Sequence, residues 1–110
     1  MKFQVVEYID ERGRSVFAKW FDALDARAAA KITMALTRMA MGNLGDVKSV
    51  GGGVQEKRID WGPGYRIYFG RKGASLILLL TGGSKKRQDR DITKARALWS
   101  GYVKRGKRNH

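Results

Sequence analysis

Residues 54–81 read VQEKRIDWGPGYRIYFGRKGASLILLLT, and this stretch decides the fold. Its β-branched, aromatic and apolar residues fall into three runs that predict strands at 54–61, 65–70 and 75–81. The runs are separated by GPG at 62–64 and RKGA at 71–74, and such short connections require antiparallel pairing. The unbroken apolar run LILLL at 76–80 predicts a central strand that is covered on both faces.

Helical patterns flank these strands on both sides in the sequence. Ser15 and Asp25 are predicted to cap two helices that end by Leu24 and Gly42 and form an antiparallel hairpin. A strand at the N-terminus and a helix at the C-terminus complete the predicted elements, at 2–8 and 89–102. Trp20 and Trp99 fall on apolar helix stripes, which favours a place in the core.

The predicted order is β-α-α-β-β-β-α, with the helices on one face of a small antiparallel sheet. This order indicates the α+β class. Two glycine-containing segments are predicted to be irregular or loops, 44–53 and 81–86. At 110 residues, without repeats or an internal linker, the chain is expected to form a single domain over 1–110 with a basic tail at about 104–110.

Composition excludes several classes of function. The chain has no Cys and one His, so it lacks ligands for a zinc site and partners for a His-based triad, and no metal or cofactor is expected. No GxGxxG or GxxxxGK[ST] sequence supports nucleotide binding. No apolar run approaches a membrane span and no signal-peptide core is present, so we expect a cytoplasmic protein without a membrane partner.

Charge is the strongest compositional signal. The formal net charge is +13, and the excess lies in the second half, since residues 1–55 carry +2 and residues 56–110 carry +11. Such asymmetry predicts a surface for a polyanion, although an acidic protein partner remains open. Any catalysis must use Arg, Lys, Glu, Asp, Tyr and backbone dipoles, which suits reactions of phosphate esters.

Alternation along two neighbouring strands places charged groups on one face. Glu56, Arg58, Arg66 and Tyr68 are expected to share that face if Ile67 and its neighbours point to the core. Two guanidinium groups, a carboxylate and a phenol suit the binding of a phosphodiester and proton transfer. The alternative is ordinary cross-strand ion pairing on a solvated sheet face.

A second candidate anion site is the sequence GGSKKR at 82–87. Glycine backbone leading to a helix N-terminus exposes N–H groups to an anion, and Lys85, Lys86 and Arg87 add charge. The alternative is that Asp89 and Asp91 satisfy this helix end themselves. Basic residues farther along the helix, such as Lys94, are interpreted as a solvated helix face.

Three stretches resemble the addiction-module killer proteins, a branch of the RelE/ParE/HigB toxin superfamily: FAKWFDAL, GNLGDVKSVGGGVQEKRIDWGPGYRIYF and LLLTGGSKKRQDRDITKARALW. The likeness covers about residues 3–103. It implies a RelE-like fold and the toxin of a type II toxin–antitoxin pair, with a small helix-turn-helix antitoxin as partner. RelE-type members are ribosome-dependent mRNA endonucleases, so ribosome and mRNA are implied partners. A homodimer remains open.

The resemblance also implies roles for individual residues. The matching catalytic positions are Arg66, then Arg58 with Lys57 as its alternative, and Lys85 with Lys86 and Arg87 as its alternatives. The implied reaction also needs a base, for which the patch offers Glu56 or a lysine of lowered pKa. We expect further residues of this basic surface to bind RNA: Lys57, Tyr68, Lys86, Arg87 and Arg90. Two positions depart from the branch, since Lys57 stands where Leu is usual and Ser84 replaces Asp.

Two other functions remain open. ParE-type members of the superfamily poison DNA gyrase without catalysis of their own. A plain nucleic-acid-binding module would also account for the charge.

Overall fold

The computed structural model describes residues 2–108. The elements are β1 (Gln4–Glu7), α1 (Val16–Asp22), α2 (Ala26–Ala40), β2 (Val47–Gly51), β3 (Val54–Ile59), β4 (Tyr65–Lys72), β5 (Leu76–Ser84) and α3 (Gln88–Arg108). A 3-10 turn, Lys85–Arg87, joins β5 directly to α3. This arrangement confirms the predicted α+β class.

The strands form one sheet in the order β1-β5-β4-β3-β2. The β3–β4 and β4–β5 pairings are antiparallel, as predicted, and β2 adds a third antiparallel pairing with β3. β1 runs parallel to β5, which corrects the expectation of a wholly antiparallel sheet. The LILLL strand is covered on both faces as expected. Ile77 and Leu79 belong to one apolar cluster, and Leu78 and Leu80 belong to the other.

The segment predicted to be irregular, 44–53, contains the strand β2, so that prediction was wrong. β2 pairs with β3 in an antiparallel arrangement, and the register of the pairing shifts between Ser49 and Gly51. Gly51, Gly52 and Gly53 all have positive φ, which lets the chain turn tightly into a hairpin. The three glycines therefore form a tight turn, which is one of the two kinds of loop, flexible or tightly turned, that the run predicts.

The helices lie on both faces of the sheet, which corrects the prediction of a single helical face. Ser15 and Asp25 cap α1 and α2 as expected, accepting hydrogen bonds from the N–H groups of Ala18 and Ala28 at 2.9 and 2.8 Å. Both helices contribute to the cluster that contains Ile67 and its apolar neighbours. α3 packs on the opposite face, because its apolar stripe matches the second cluster: Ile92, Ala95, Leu98, Trp99 and Tyr102.

The predicted loop at 81–86 was also wrong, since β5 continues to Ser84. These residues pair with β4, whose ladder extends from Lys72 back to Tyr65 and provides partners for the whole segment. Of the predicted basic tail at 104–110, residues 104–108 continue α3, while Asn109 and His110 lie outside the described residues. Within residues 2–108, no helix has the length and apolar character needed to cross a membrane.

Candidate functional site

The polar residues of β3 and β4 meet on one face, as predicted. The strand register sets Glu56 opposite Tyr68 and Arg58 opposite Arg66. Residues directly opposite each other in an antiparallel pair project to the same side of the sheet. Ile67 and Phe69 point the other way, into the cluster beneath α1 and α2.

Three of these side chains form a buried polar cluster under α3, which we call the sheet triad: Glu56, Arg66 and Tyr68. Glu56 and Tyr68 have no exposed surface, and Arg66 is 6% exposed. The face is therefore not the solvated one of the alternative interpretation. Gln88, in the first turn of α3, lies over it and donates hydrogen bonds to both carboxylate oxygens of Glu56.

The charge of Glu56 is balanced by two cations. Arg66 Nε lies 3.7 Å and Lys48 Nζ 3.8 Å from Glu56 Oε1. Hydrogen bonding in the sheet triad is incomplete, because Arg66 Nε and the Tyr68 hydroxyl are buried without a hydrogen-bond partner. Burial, together with the nearby Glu56 carboxylate, raises the pKa of Tyr68 well above its usual value, so its hydroxyl stays protonated at neutral pH.

Asp91 adds a second carboxylate beside the sheet triad. Its Oδ2 is buried without a hydrogen-bond partner, and its side chain lies against the backbone of Gly83, which pairs with Arg66 in the ladder. Burial raises the pKa of Asp91. Gln88 and Asp91 were not predicted as site residues; their spacing of i and i+3 places them on one helix face, but only knowledge of the face that α3 covers would have revealed their role.

The remaining predicted cations other than Lys57 are exposed and are not part of the buried sheet triad. Arg58 is half-exposed, and its Nε lies 3.7 Å from Asp46 Oδ2. The 3-10 turn is anchored by its first residue, because the backbone N–H of Lys85 donates to the carbonyl oxygen of Gly64 at 2.9 Å. Four side chains around this turn point to solvent: Lys85, Lys86, Arg87 and Arg90.

Lys57 lies on the other face of the sheet from the sheet triad, opposite Ile67 in the ladder. It is 8% exposed, and its Nζ donates a hydrogen bond to the carbonyl oxygen of Leu44 at 2.8 Å. Burial lowers the pKa of Lys57. The structure therefore does not bring this lysine together with the other predicted site residues.

The two glycines of the predicted anion loop are strand residues. Gly82 and Gly83 pair with Ile67 and Arg66, and Gly82 lies against the Trp20 ring. They leave no open backbone cradle for an anion. Within the part of the chain that the structure describes, no group of three His, Cys, Asp or Glu side chains converges to hold a metal ion.

Comparison with known proteins gives two matches. The family described as "Phage derived protein Gp49-like (DUF891)" matches residues 19–100. An uncharacterized protein of Haemophilus influenzae (strain ATCC 51907 / DSM 11121 / KW20 / Rd) is 46% identical over 83 residues, which cover 74% of this chain and 84% of that protein. The family match spans well over half of the sequence, and the chain therefore belongs to the phage-derived Gp49-like family.

Proposed function

We propose that this protein is the toxin of a type II toxin–antitoxin module of the RelE/ParE/HigB superfamily, and that it cleaves mRNA on the ribosome. Membership of the Gp49-like family supports the RelE-like toxin assignment. The net charge of +13 supports a polyanionic target. The proposal includes a cytoplasmic location and an antitoxin partner, a small helix-turn-helix protein.

The observation that carries the catalytic part is the sheet triad. A carboxylate, a guanidinium and a phenol are held together on adjacent strands with unused hydrogen-bonding capacity. Buried polar groups in folded proteins are normally paired, so unpaired atoms at one place favour a functional role there. Arg58 faces the same side of the sheet, and Lys85 follows the end of β5.

The proposed reaction is attack by an mRNA 2′-oxygen on the adjacent 3′-phosphorus. Glu56 accepts the 2′-OH proton as the P–O2′ bond forms. The bond from phosphorus to the 5′-oxygen of the next nucleotide then breaks, leaving a 2′,3′-cyclic phosphate. Tyr68, kept protonated by its raised pKa, donates a proton to the departing 5′-oxygen. Arg66 and Lys85 stabilise the charge on the phosphorane, and Arg58 positions the phosphate.

Access to the sheet triad requires a local change at the start of α3. Gln88 occupies both oxygens of Glu56, so the general base is blocked while this contact lasts. Binding to the ribosome would displace the 3-10 turn and Gln88 and so open the site. Free RNA should therefore be cut poorly, because the contact of Gln88 with Glu56 favours the closed form in the isolated chain.

The test is a purified translation reaction on a defined mRNA, with and without ribosomes, mapped by primer extension. Lys85→Ala and Arg58→Ala are the informative variants, since both side chains are exposed and their loss should leave stability within about 0.5 kcal/mol. Arg27→Ala, on the exposed side of α2, is the matched control. We expect ribosome-dependent cuts that end in a cyclic phosphate and fall at least tenfold in the two variants. Equal cleavage by Arg27→Ala and Lys85→Ala would contradict the site.

Arg66→Ala is a poor test by itself. It leaves the fully buried Glu56 carboxylate without its closest cation, a change that costs roughly 3–5 kcal/mol in comparable buried pairs. Loss of toxicity in that variant would therefore report misfolding as readily as lost catalysis.

The second candidate is an inhibitor of DNA gyrase without catalysis. The observation that favours it is the closed state of the sheet triad beneath Gln88, which such an inhibitor has no need to open. Intact mRNA, continued translation and inhibited supercoiling by purified gyrase would support this function instead.

A further inference from the structure

Three aromatic side chains form a row at one end of the sheet, which we call the aromatic row: Trp20 of α1, Tyr65 of β4 and Trp61 of the β3–β4 turn. The centroids of Trp20 and Tyr65 lie 6.2 Å apart in an edge-on arrangement, and those of Tyr65 and Trp61 lie 6.2 Å apart and nearly parallel. Each of the three residues is partly buried, and Trp20 and Tyr65 also pack against the cluster that contains Ile67. The remaining surface of the aromatic row is open to solvent.

The first two rings also line an open cleft of about 550 Å³ between α1, the ends of β4 and β5, and the first turns of α3. Gly82 lets the Trp20 ring approach the β5 backbone directly, because any Cβ at this position would collide with it. One side of the ring is thereby fixed against the sheet, and the ring lines the cleft. The sheet triad is not part of the lining.

Cations surround the aromatic row. Lys19, Arg87 and Lys94 line the cleft and are exposed, and none of them forms an ion pair within residues 2–108. Asp91 is the carboxylate in the lining; burial raises its pKa, while the nearby charges of Lys94 and Arg87 act in the opposite direction. At the far end of the row, Lys31 Nζ lies 5.9 Å from the Trp61 ring centroid.

We infer that the cleft and the aromatic row bind a single-stranded polynucleotide, with bases stacked on the rings and phosphates held by Lys19, Arg87 and Lys94. Partly exposed aromatic rings lined by unpaired cations are the arrangement that binds single strands without sequence preference. A duplex keeps its bases stacked internally and would leave the rings unused. An acidic peptide would use the cations and leave the same rings without a role. The choice of RNA as the polymer rests on the proposed function.

The test is fluorescence anisotropy of the purified chain with a labelled oligouridine of about twelve nucleotides. Every nucleotide of this oligouridine carries a 2′-O-methyl group. The methyl groups prevent cleavage by 2′-oxygen attack, so binding is measured independently of catalysis. Trp61→Ala should weaken binding about 5- to 100-fold, because one stacked base is lost, while Trp61→Phe should retain most of the affinity. Matched DNA and double-stranded RNA oligomers serve as comparison ligands.

The cations are tested by salt dependence. Lys19→Ala/Lys94→Ala should reduce the slope of log affinity against log salt by about 1.4, since each phosphate contact on a single strand contributes about 0.7. Arg27→Ala/Lys104→Ala removes the same charge from exposed positions outside the cleft and should keep the wild-type slope.

Three results would overturn the inference. They are equal slopes for the two double variants, duplex binding as tight as single-strand binding, and capture of an acidic peptide in place of RNA with the same lysine dependence. Tighter binding of the DNA oligomer would overturn the assignment to RNA. If the protein binds oligouridine normally but does not cleave mRNA, the proposed enzyme activity is contradicted and the proposed binding cleft is supported. If it cleaves mRNA but does not bind oligouridine, the binding cleft is contradicted and the enzyme activity is supported.

Discussion

The side-chain amide of Gln88 lies 2.9 Å from Oε2 and 3.2 Å from Oε1 of Glu56, and so joins the first turn of α3 to the strand β3. The contact joins residues 32 positions apart in the sequence. It satisfies a fully buried carboxylate and closes the sheet triad in the same interaction. The contact between Gln88 and Glu56 therefore stabilises the fold and at the same time blocks access to the proposed site.

Gln88→Ala should lower the free energy of unfolding by about 1.5–3 kcal/mol, the range for hydrogen bonds to a charged group. Gln88→Glu should lose more at pH 7, because it sets a second carboxylate against Glu56. Urea denaturation measures both. Gln4→Ala, at an exposed position of β1, should stay within about 0.5 kcal/mol of wild type. A Gln88→Ala protein as stable as the Gln4→Ala control would mean that this contact contributes nothing.

Tyr68→Phe should change the stability profile at high pH. The folded-state pKa of Tyr68 is raised above the ordinary value of 10.0, so above that pH the unfolded chain releases this proton while the folded chain retains it. Wild-type stability should therefore fall as pH rises beyond 10, by at most about 1.4 kcal/mol per pH unit from this group. Urea titrations between about pH 9 and 11 should show a shallower fall for the variant.

The same variant tests the catalytic role of the hydroxyl. At pH 7 its removal should shift stability by no more than about 1 kcal/mol, because the group has no hydrogen-bond partner to lose. Ribosome-dependent cleavage should nevertheless fall by about 10²–10⁴, the usual contribution of a positioned proton donor. Full cleavage by a folded Tyr68→Phe protein would remove Tyr68 from the proposed mechanism.

Lys57→Leu should stabilise the protein by roughly 0.5–2 kcal/mol, in the range of other favourable core substitutions. Wild type holds an ammonium group in a buried position with one hydrogen bond to the Leu44 carbonyl, and leucine removes that desolvation. The pKa of Lys57 is lowered on folding, so wild-type stability should rise with pH up to its ordinary value of 10.5, and the variant should lack this rise. Urea denaturation over that pH range measures the effect.

Cleavage by Lys57→Leu should remain at the wild-type level, because Lys57 faces away from the sheet triad. Lys104→Leu, at an exposed position of α3, is the control and should change neither stability nor cleavage. If Lys57→Leu folds and fails to cut, Lys57 is one of the RNA-contacting residues, as we expected for this departure from the family's usual Leu.

Gly70→Ala and Gly101→Ala should have opposite effects on stability. A Cβ at Gly70 would run into the Trp99 ring, so alanine there should cost about 1–3 kcal/mol through forced repacking of α3 on the sheet. A Cβ at Gly101, within α3, meets nothing within 4 Å, and alanine there should add about 0.5–1 kcal/mol through helix propensity. A neutral Gly70→Ala would mean that Trp99 moves away without cost.

Several features of the site were predictable because they follow from local rules. Period-two alternation put Arg66 and Tyr68 on one face once Ile67 points to the core, and Glu56 on the same face once Ile59 does so. What covers that face was not predictable from spacing. Gln88 contacts the sheet triad because α3 folds back over the sheet after β5. Periodicity predicts that a helix has an apolar stripe, but it does not predict which face of the sheet the stripe packs against.

The sequence by itself determined the α+β class, the two capped helices, the covered LILLL strand and the basic second half of the chain. Each depends on local sequence: hydrogen bonding by Ser15 and Asp25 to nearby N–H groups, an unbroken apolar run, or the count of charged residues. Only the tertiary structure decided that β2 is a strand, that α3 lies opposite α1 and α2, and that Lys57 is buried away from the other cations. The physical reason is that strand pairing and burial are set by partners distant in sequence, and their contacts outweigh local preference.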